Sequence, residues 1–196
     1  NEKEVTTVLA SMNTSIVLDN VVASTMGLYC DGCHATVKNS TFVNEKTDTA
    51  DQMDDGWARL TAPSDVQTNA DNSWPMASIL EVSDSEFIRM YMAKSFAGTV
   101  VNTATNNDDG FPMLAHFTAC TFTNATNLGA NGGAFAVNSG GVMTFNRCAF
   151  TGCRSSLNGG AGSVAGGLLL VSDTTFDSNV AEANGGALYG SSLAFA

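Results

Sequence analysis

Basic residues are scarce in this chain. Eight Lys and Arg stand against 19 Asp and Glu in 196 residues, a formal charge of −11. Nucleic-acid binding needs a basic patch to neutralise phosphates, so that class of partner is excluded and an anionic membrane surface is disfavoured. Charged residues of both signs make up only 14% of the chain, low for an ordinary enzyme surface. Ser, Thr and Asn supply the polar coverage instead. No apolar run approaches the roughly 20 residues of a membrane-spanning helix; the longest is Leu168–Val171 with its flanks. Apolar spacings of three and four are nowhere sustained, which argues against helices, and the Gly-Gly pairs are poor helix interior. No signal peptide is visible and residue 1 is Asn, so the chain is read as a mature chain or a fragment of a longer one.

What is present is a repeat. Gly-Gly-Ala occurs at 132–134, 159–161 and 185–187, at spacings of 27 and 26 residues. A phenylalanine (Phe122, Phe150, Phe176) precedes each copy by nine or ten residues. A period of this size means one supersecondary unit stacked on itself. Ahead of each copy lies an apolar residue, two mostly polar ones, a small residue, a variable one and an apolar anchor, as in Phe117-Thr-Ala-Cys-Thr-Phe122 and Phe145-Asn-Arg-Cys-Ala-Phe150. The frame extends back through Phe87 and Phe42 to Ala23, and a seventh copy begins at Leu193-Ala-Phe195.

Strands suit this pattern, because the small residue and the anchor two positions later share a face. The apolar residue five before the anchor has the wrong parity for one straight strand. A bend at the polar pair restores it, so two short strands are expected to meet at a corner. Short strands with corners, 20–30 residues per repeat, predict an all-β parallel β-helix, or β-solenoid. Phe42, Phe87, Phe122, Phe150 and Phe176 should stack inside, beside a small-residue column of Val21, Ser40, Ser85, Cys120, Cys148 and Thr174. The pairs Gly132-Gly133, Gly159-Gly160 and Gly185-Gly186 should mark close backbone approach or positive φ.

Anchor spacings of 45 and 35 residues point to two inserted loops in a single domain covering 1–196, at about 44–78 and 90–112. The first is acidic; the second holds Asn106-Asn107-Asp108-Asp109-Gly110. Asp108 and Asp109 are candidate calcium ligands, without the spacing of an EF-hand loop; a solvated acidic loop is the plainer reading, and no cofactor is expected beyond such a structural ion. Trp57, Trp74 and Tyr91 lie in these loops, placed either to stack on sugar rings or to pin the loops to the scaffold. The pattern stops in mid-repeat at Ala196, and open ends expose strand edges. The expectation is a longer solenoid or end-to-end stacking.

The five cysteines are Cys30, Cys33, Cys120, Cys148 and Cys153. Cys30-Asp-Gly-Cys33 suits a short-range disulfide or free thiols at a corner; zinc would need a second ligand pair, which His34 alone does not supply. Cys120 and Cys148 share a column at a spacing of about 4.8 Å, inside the disulfide range. A bond and a buried thiol stack are both open there, and Cys153 competes for Cys148. Sequons at Asn13, Asn39 and Asn124 permit glycosylation, with Asn39 pointing outward.

Phe176-Asp-Ser-Asn179 followed by Gly185-Gly186-Ala187-Leu188 resembles the repeat of polymorphic outer membrane proteins. Phe150-Thr-Gly-Cys153 replaces the asparagine and Phe122-Thr-Asn124 shifts it by one. The likeness covers 114–196 well and 16–113 only by anchor pattern. It implies a right-handed β-helix related to the pectin-lyase-like superfamily, and a surface adhesin. The function expected is therefore a non-catalytic extracellular or cell-surface component of a layer, appendage or filament. Its partners would be other subunits or copies of itself, or glycans. The alternatives are a polysaccharide lyase or hydrolase of pectin-lyase-like type and a glycan-binding module. Against the enzyme, Lys38, Arg89, Lys94, Arg147 and Arg154 are scattered over the frame with no acids stacked beside them.

Overall fold

The computed structural model describes residues 6–10, 14–24, 26–44, 57–61, 77–92, 98, 100–103 and 113–191. These residues are all-β: four sheets of parallel strands and no helix. The chain visits the first three sheets in an unchanging cycle. The first sheet takes Thr6–Ala10, Met26–Asp31, Ala58–Thr61, Val101–Thr103, Phe135–Asn138, Gly162–Ala165 and Leu188–Ser191. The second takes Ser15–Asp19, His34–Lys38, Ser78–Ser83, Met113–Thr118, Gly141–Asn146 and Leu168–Ser172. The third takes Val22–Ser24, Thr41–Val43, Glu86–Ile88, Thr121–Thr123, Ala149–Thr151 and Thr175–Asp177. A short fourth sheet joins from Tyr91–Met92 onward. One passage through the sheets is called a layer below.

The corner between second and third sheets has a backbone cause. Asn20, Asn39, Asp84, Ala119, Arg147 and Asp173 each follow a second-sheet strand, and all have φ between 47 and 57°. One left-handed residue reverses the side-chain phase, so Phe117 and Phe122 both point inward despite their odd separation. Asn and Asp tolerate that conformation; Ala119 and Arg147 adopt it without that advantage.

Register places like on like. Phe122 pairs with Phe87 on one side and Phe150 on the other, and Phe150 with Phe176. Ring centroids along Phe42, Phe87, Phe122, Phe150 and Phe176 are 5.4, 5.1, 4.4 and 4.9 Å apart, with interplanar angles of 19° or less. A second stack, Phe117 on Phe145 at 5.2 Å, meets the first edge-on at Phe122 and Phe150. Each such contact adds about 0.5–1.5 kcal/mol beyond burial.

The small-residue column also forms, and its oxygens work. The Ser40 hydroxyl accepts from the Val21 N–H, Ser85 from Ser40, and Thr174 from Cys148, at 3.1–3.2 Å. These bonds satisfy corner N–H groups that the ladders leave over, which burial would otherwise penalise.

Two stretches read as inserted loops contain ladder strands, and this corrects the sequence reading. Ala58–Thr61 lies within 44–78 and pairs with Met26–Asp31 and Val101–Thr103. Tyr91–Met92 and Val101–Thr103 lie within 90–112. Trp57, next to the first of these strands, is 0% exposed and packs on Phe42 and Phe87 at 4.5 and 4.8 Å. It belongs to the core and offers no face to a sugar.

Candidate functional site

Cys30 and Cys33 form a disulfide, Cα–Cα 5.3 Å, across Asp31 and Gly32, where Gly32 has φ 62°. The bond fastens the corner between a first-sheet strand and the next second-sheet strand. Cys120, Cys148 and Cys153 are buried free thiols, so the thiol stack is the form present. Cys120 and Cys148 are column neighbours, as the Ala149 N–H bond to the Cys120 carbonyl at 3.0 Å requires. The hydrogen bond between the two thiols, reinforced by burial, pushes Cys120 far above its ordinary range, while the same bond draws Cys148 down against the opposing effect of burial. Burial raises Cys153 to about 11. Cys120 and Cys153, raised and buried, are held neutral and are inert towards solvent reagents.

Polar chemistry lies on the outer faces. His34 Nε2 meets Glu81 Oε2 at 3.1 Å across two strands of the second sheet, and Arg154 donates to Glu182 at 2.8 Å. Both pairs are about half exposed, a setting worth about 0–1 kcal/mol. His116 stands on the same outer face as Glu81, its register neighbour. Among the described residues no three His, Cys, Asp or Glu are grouped to hold a metal ion. Lys38, Arg89, Arg147 and Arg154 fall in different columns of the register, so the structure does not gather them. Asp108, Asp109, Asn13, Lys94 and Trp74 lie outside the described residues. Asn39 is exposed at its corner and its carboxamide donates to Asp19 at 3.0 Å; Asn124, also left-handed at φ 55°, is likewise exposed.

The glycine pairs divide their labour. Gly132, Gly159 and Gly185 have φ of 78, 70 and 66°. Gly133 and Gly160 have a different constraint: a Cβ there would lie 2.0 and 2.1 Å from the carbonyl oxygen of the second glycine one layer on. At Gly186 nothing among the described residues comes nearer than 3.6 Å.

An asparagine ladder beside these glycines was not anticipated. Asn158 donates its side-chain amide to Asn131 Oδ1, and Asn184 donates to Asn158 Oδ1, both at 2.9 Å. The backbone N–H of each makes the same link at 3.1 Å. The signal was available, because each asparagine immediately precedes a Gly-Gly-Ala copy.

The layer beginning at Gly162 differs from those before it. Leu169 and Val171 continue the inward columns of Met143 and Phe145, yet Val171 is 42% exposed while Phe145 is 0% exposed. Phe176 is half-buried, with Phe150 on one face. Among the described residues Leu168–Ser172 and Thr175–Asp177 are paired along one edge. No family model, curated protein or solved structure matches the chain.

Proposed function

We propose that the chain is a right-handed parallel β-helix forming one domain, and that it serves as a non-catalytic structural or adhesive component at a cell surface or outside the cell. The observation that carries this reading is the unbroken stack of phenylalanines in register, with the hydroxyl and asparagine columns beside it. The apolar and hydrogen-bonding capacity of the described residues goes largely into holding layer on layer. The right hand follows from the rule that about 98% of parallel crossovers take it. Seven first-sheet strands at about 4.8 Å each span about 29 Å along the stack, a stiff short rod. The Cys30–Cys33 bond suits an oxidising compartment, and the exposed sequons at Asn39 and Asn124 are both placed to carry a glycan. Partners would be other subunits, further copies of the chain, or glycans. The likeness to polymorphic outer membrane protein repeats supports a surface role through the Phe-x-x-Asn and Gly-Gly-Ala motifs alone.

The test is incubation with polyuronides and calcium, followed by assays for new reducing ends and unsaturated products. The scaffold reading predicts neither. Turnover abolished by Asp108→Asn or Asp109→Asn would instead establish a lyase or hydrolase.

A further inference from the structure

We propose that Cys120 and Cys148 form a reversible staple between two covered layers, closed to a disulfide by a small-molecule disulfide oxidant and reopened by the corresponding thiol. The pair is then a redox modification site inside the core, whatever the outcome for the scaffold reading.

Position comes first. Cys120 and Cys148 each stand one residue past a left-handed corner residue, Ala119 and Arg147, and follow one another in the small-residue column. Column neighbours lie about 4.8 Å apart, within the roughly 4.4–6.8 Å that a disulfide spans between Cα atoms. Each sulfur leans towards the preceding layer: Cys120 Sγ lies 3.6 Å from the Val82 carbonyl and Cys148 Sγ 3.6 Å from the Phe117 carbonyl. The Cys148 sulfur thus reaches into the layer of Cys120, where it accepts from the Cys120 thiol and from the Cys120 N–H. Cys153 has no such neighbour. Its column holds Ala125 and Asn179. The strand Ala149–Thr151 separates it from Cys148 by roughly 10 Å or more, beyond disulfide reach.

Reactivity is unequal within the pair. Cys148 is drawn towards its thiolate by the Cys120 thiol and then, against the opposing effect of burial, by the Cys120 N–H and the Arg147 guanidinium. It is therefore the attacking sulfur, reached when its corner opens locally. The Cys148 thiolate attacks one sulfur of the oxidant, forming a mixed disulfide and releasing a thiolate that takes up the Cys148 proton. Cys120 then attacks the Cys148 sulfur, and its proton passes to the second departing thiolate. Two protons and two electrons leave the cysteines, and the oxidant is reduced to two thiols. Cys120, neutral and enclosed, acts only in the second, internal step.

The test incubates the full chain with hydroxyethyl disulfide and mercaptoethanol at graded ratios. Samples are quenched in acid, unfolded, alkylated and mapped by mass spectrometry without reduction. Peptides carrying Cys120 and Cys148 should become linked as the disulfide fraction rises, leaving Cys153 alone of the three alkylated. The linked chain should melt about 7–14 °C higher, because the bond constrains the unfolded chain. Cys120→Ser should trap Cys148 as a mixed disulfide, Cys148→Ser should leave Cys120 unmodified, and Cys153→Ser should leave the link unchanged. Serine already serves this column at Ser40 and Ser85, and circular dichroism checks the fold. If a serine variant does not fold, mapping of the unsubstituted chain decides alone. Linking of Cys148 to Cys153, a mixed disulfide that never resolves, or three thiols still alkylated at the most oxidising ratio would overturn the staple. Those outcomes leave the scaffold reading standing, which only turnover of a polysaccharide removes.

Discussion

The layers between Met113 and Ser155 and the layer from Gly162 to Ala181 follow one pattern and differ in what lies above them. Phe150 and Phe176 occupy the same column and stack at 4.9 Å, yet Phe150 is fully buried and Phe176 is not. Gly160 and Gly186 occupy the same position, yet only Gly160 has a carbonyl where its Cβ would be. In this architecture burial is conferred by the neighbouring layer and not by the residue's own strand. The same residue type therefore carries different energies in a covered layer and at the open edge.

The largest expected break in the comparison is at the phenylalanines. Phe122→Ala should cost about 3–5 kcal/mol in chemical denaturation, because it removes a ring stacked on both faces and met edge-on by Phe117 and Phe145. Phe176→Ala should cost roughly half as much, since the ring has one stacked partner. Equal losses would mean that the two layers are equally covered.

Cys153 tests the covered layer by pH. Its thiol is raised from 9.0 to about 11 by burial, so folding favours the protonated form. Its stability contribution is intact below pH 9 and is lost as pH climbs towards 11, because the unfolded chain loses that proton first. The loss should amount to about 2–3 kcal/mol. Cys153→Ala should flatten that part of the stability–pH curve, while a variant of half-buried Asn179, the non-titrating member of the same column, should not.

The glycines should differ in sign. Gly160→Ala pushes a methyl into the Gly186 carbonyl and should cost about 1–3 kcal/mol. Gly186→Ala has space, and no positive φ is recorded there, so it should be neutral or stabilise by about 0.4–1 kcal/mol through the unfolded chain. The smallest effect belongs to the corners: Ala119→Gly should stabilise by about 1 kcal/mol by relieving a left-handed alanine. Asp173→Gly should gain less, since Asp tolerates that conformation. Thermal melts of the two pairs settle both contrasts.

Much of this fold was legible because a stacked layer writes its register into the chain. The spacing of Phe87, Phe122, Phe150 and Phe176 gave the column, and the odd separation of Phe117 from Phe122 required the corner that Ala119 makes. The strand Ala58–Thr61 was not legible, since four residues in an acidic stretch carry too little alternation to betray a ladder formed with distant neighbours. For Trp57 the sequence left sugar stacking and pinning to the scaffold both open; the pairing of the following strand draws it into the core, which is the second. For Cys120 and Cys148 the column spacing suits a bond and a thiol pair alike, so sequence alone does not choose. The asparagine ladder was legible in principle, since Asn131, Asn158 and Asn184 each directly precede a Gly-Gly-Ala copy, but that their amides bond to one another is seen only in the structure.

In-register stacking is the claim on which all of this depends, and paired cysteines on the outer face of the third sheet test it directly. Thr123 and Thr151 are register neighbours, and Asp177 is one layer further on. The double variant Thr123→Cys with Thr151→Cys, about 4.8 Å apart, should cross-link on mild oxidation, mapped by mass spectrometry. Thr123→Cys with Asp177→Cys, at roughly 9.6 Å, should not. Cross-linking of the second pair in preference to the first would contradict the layered account.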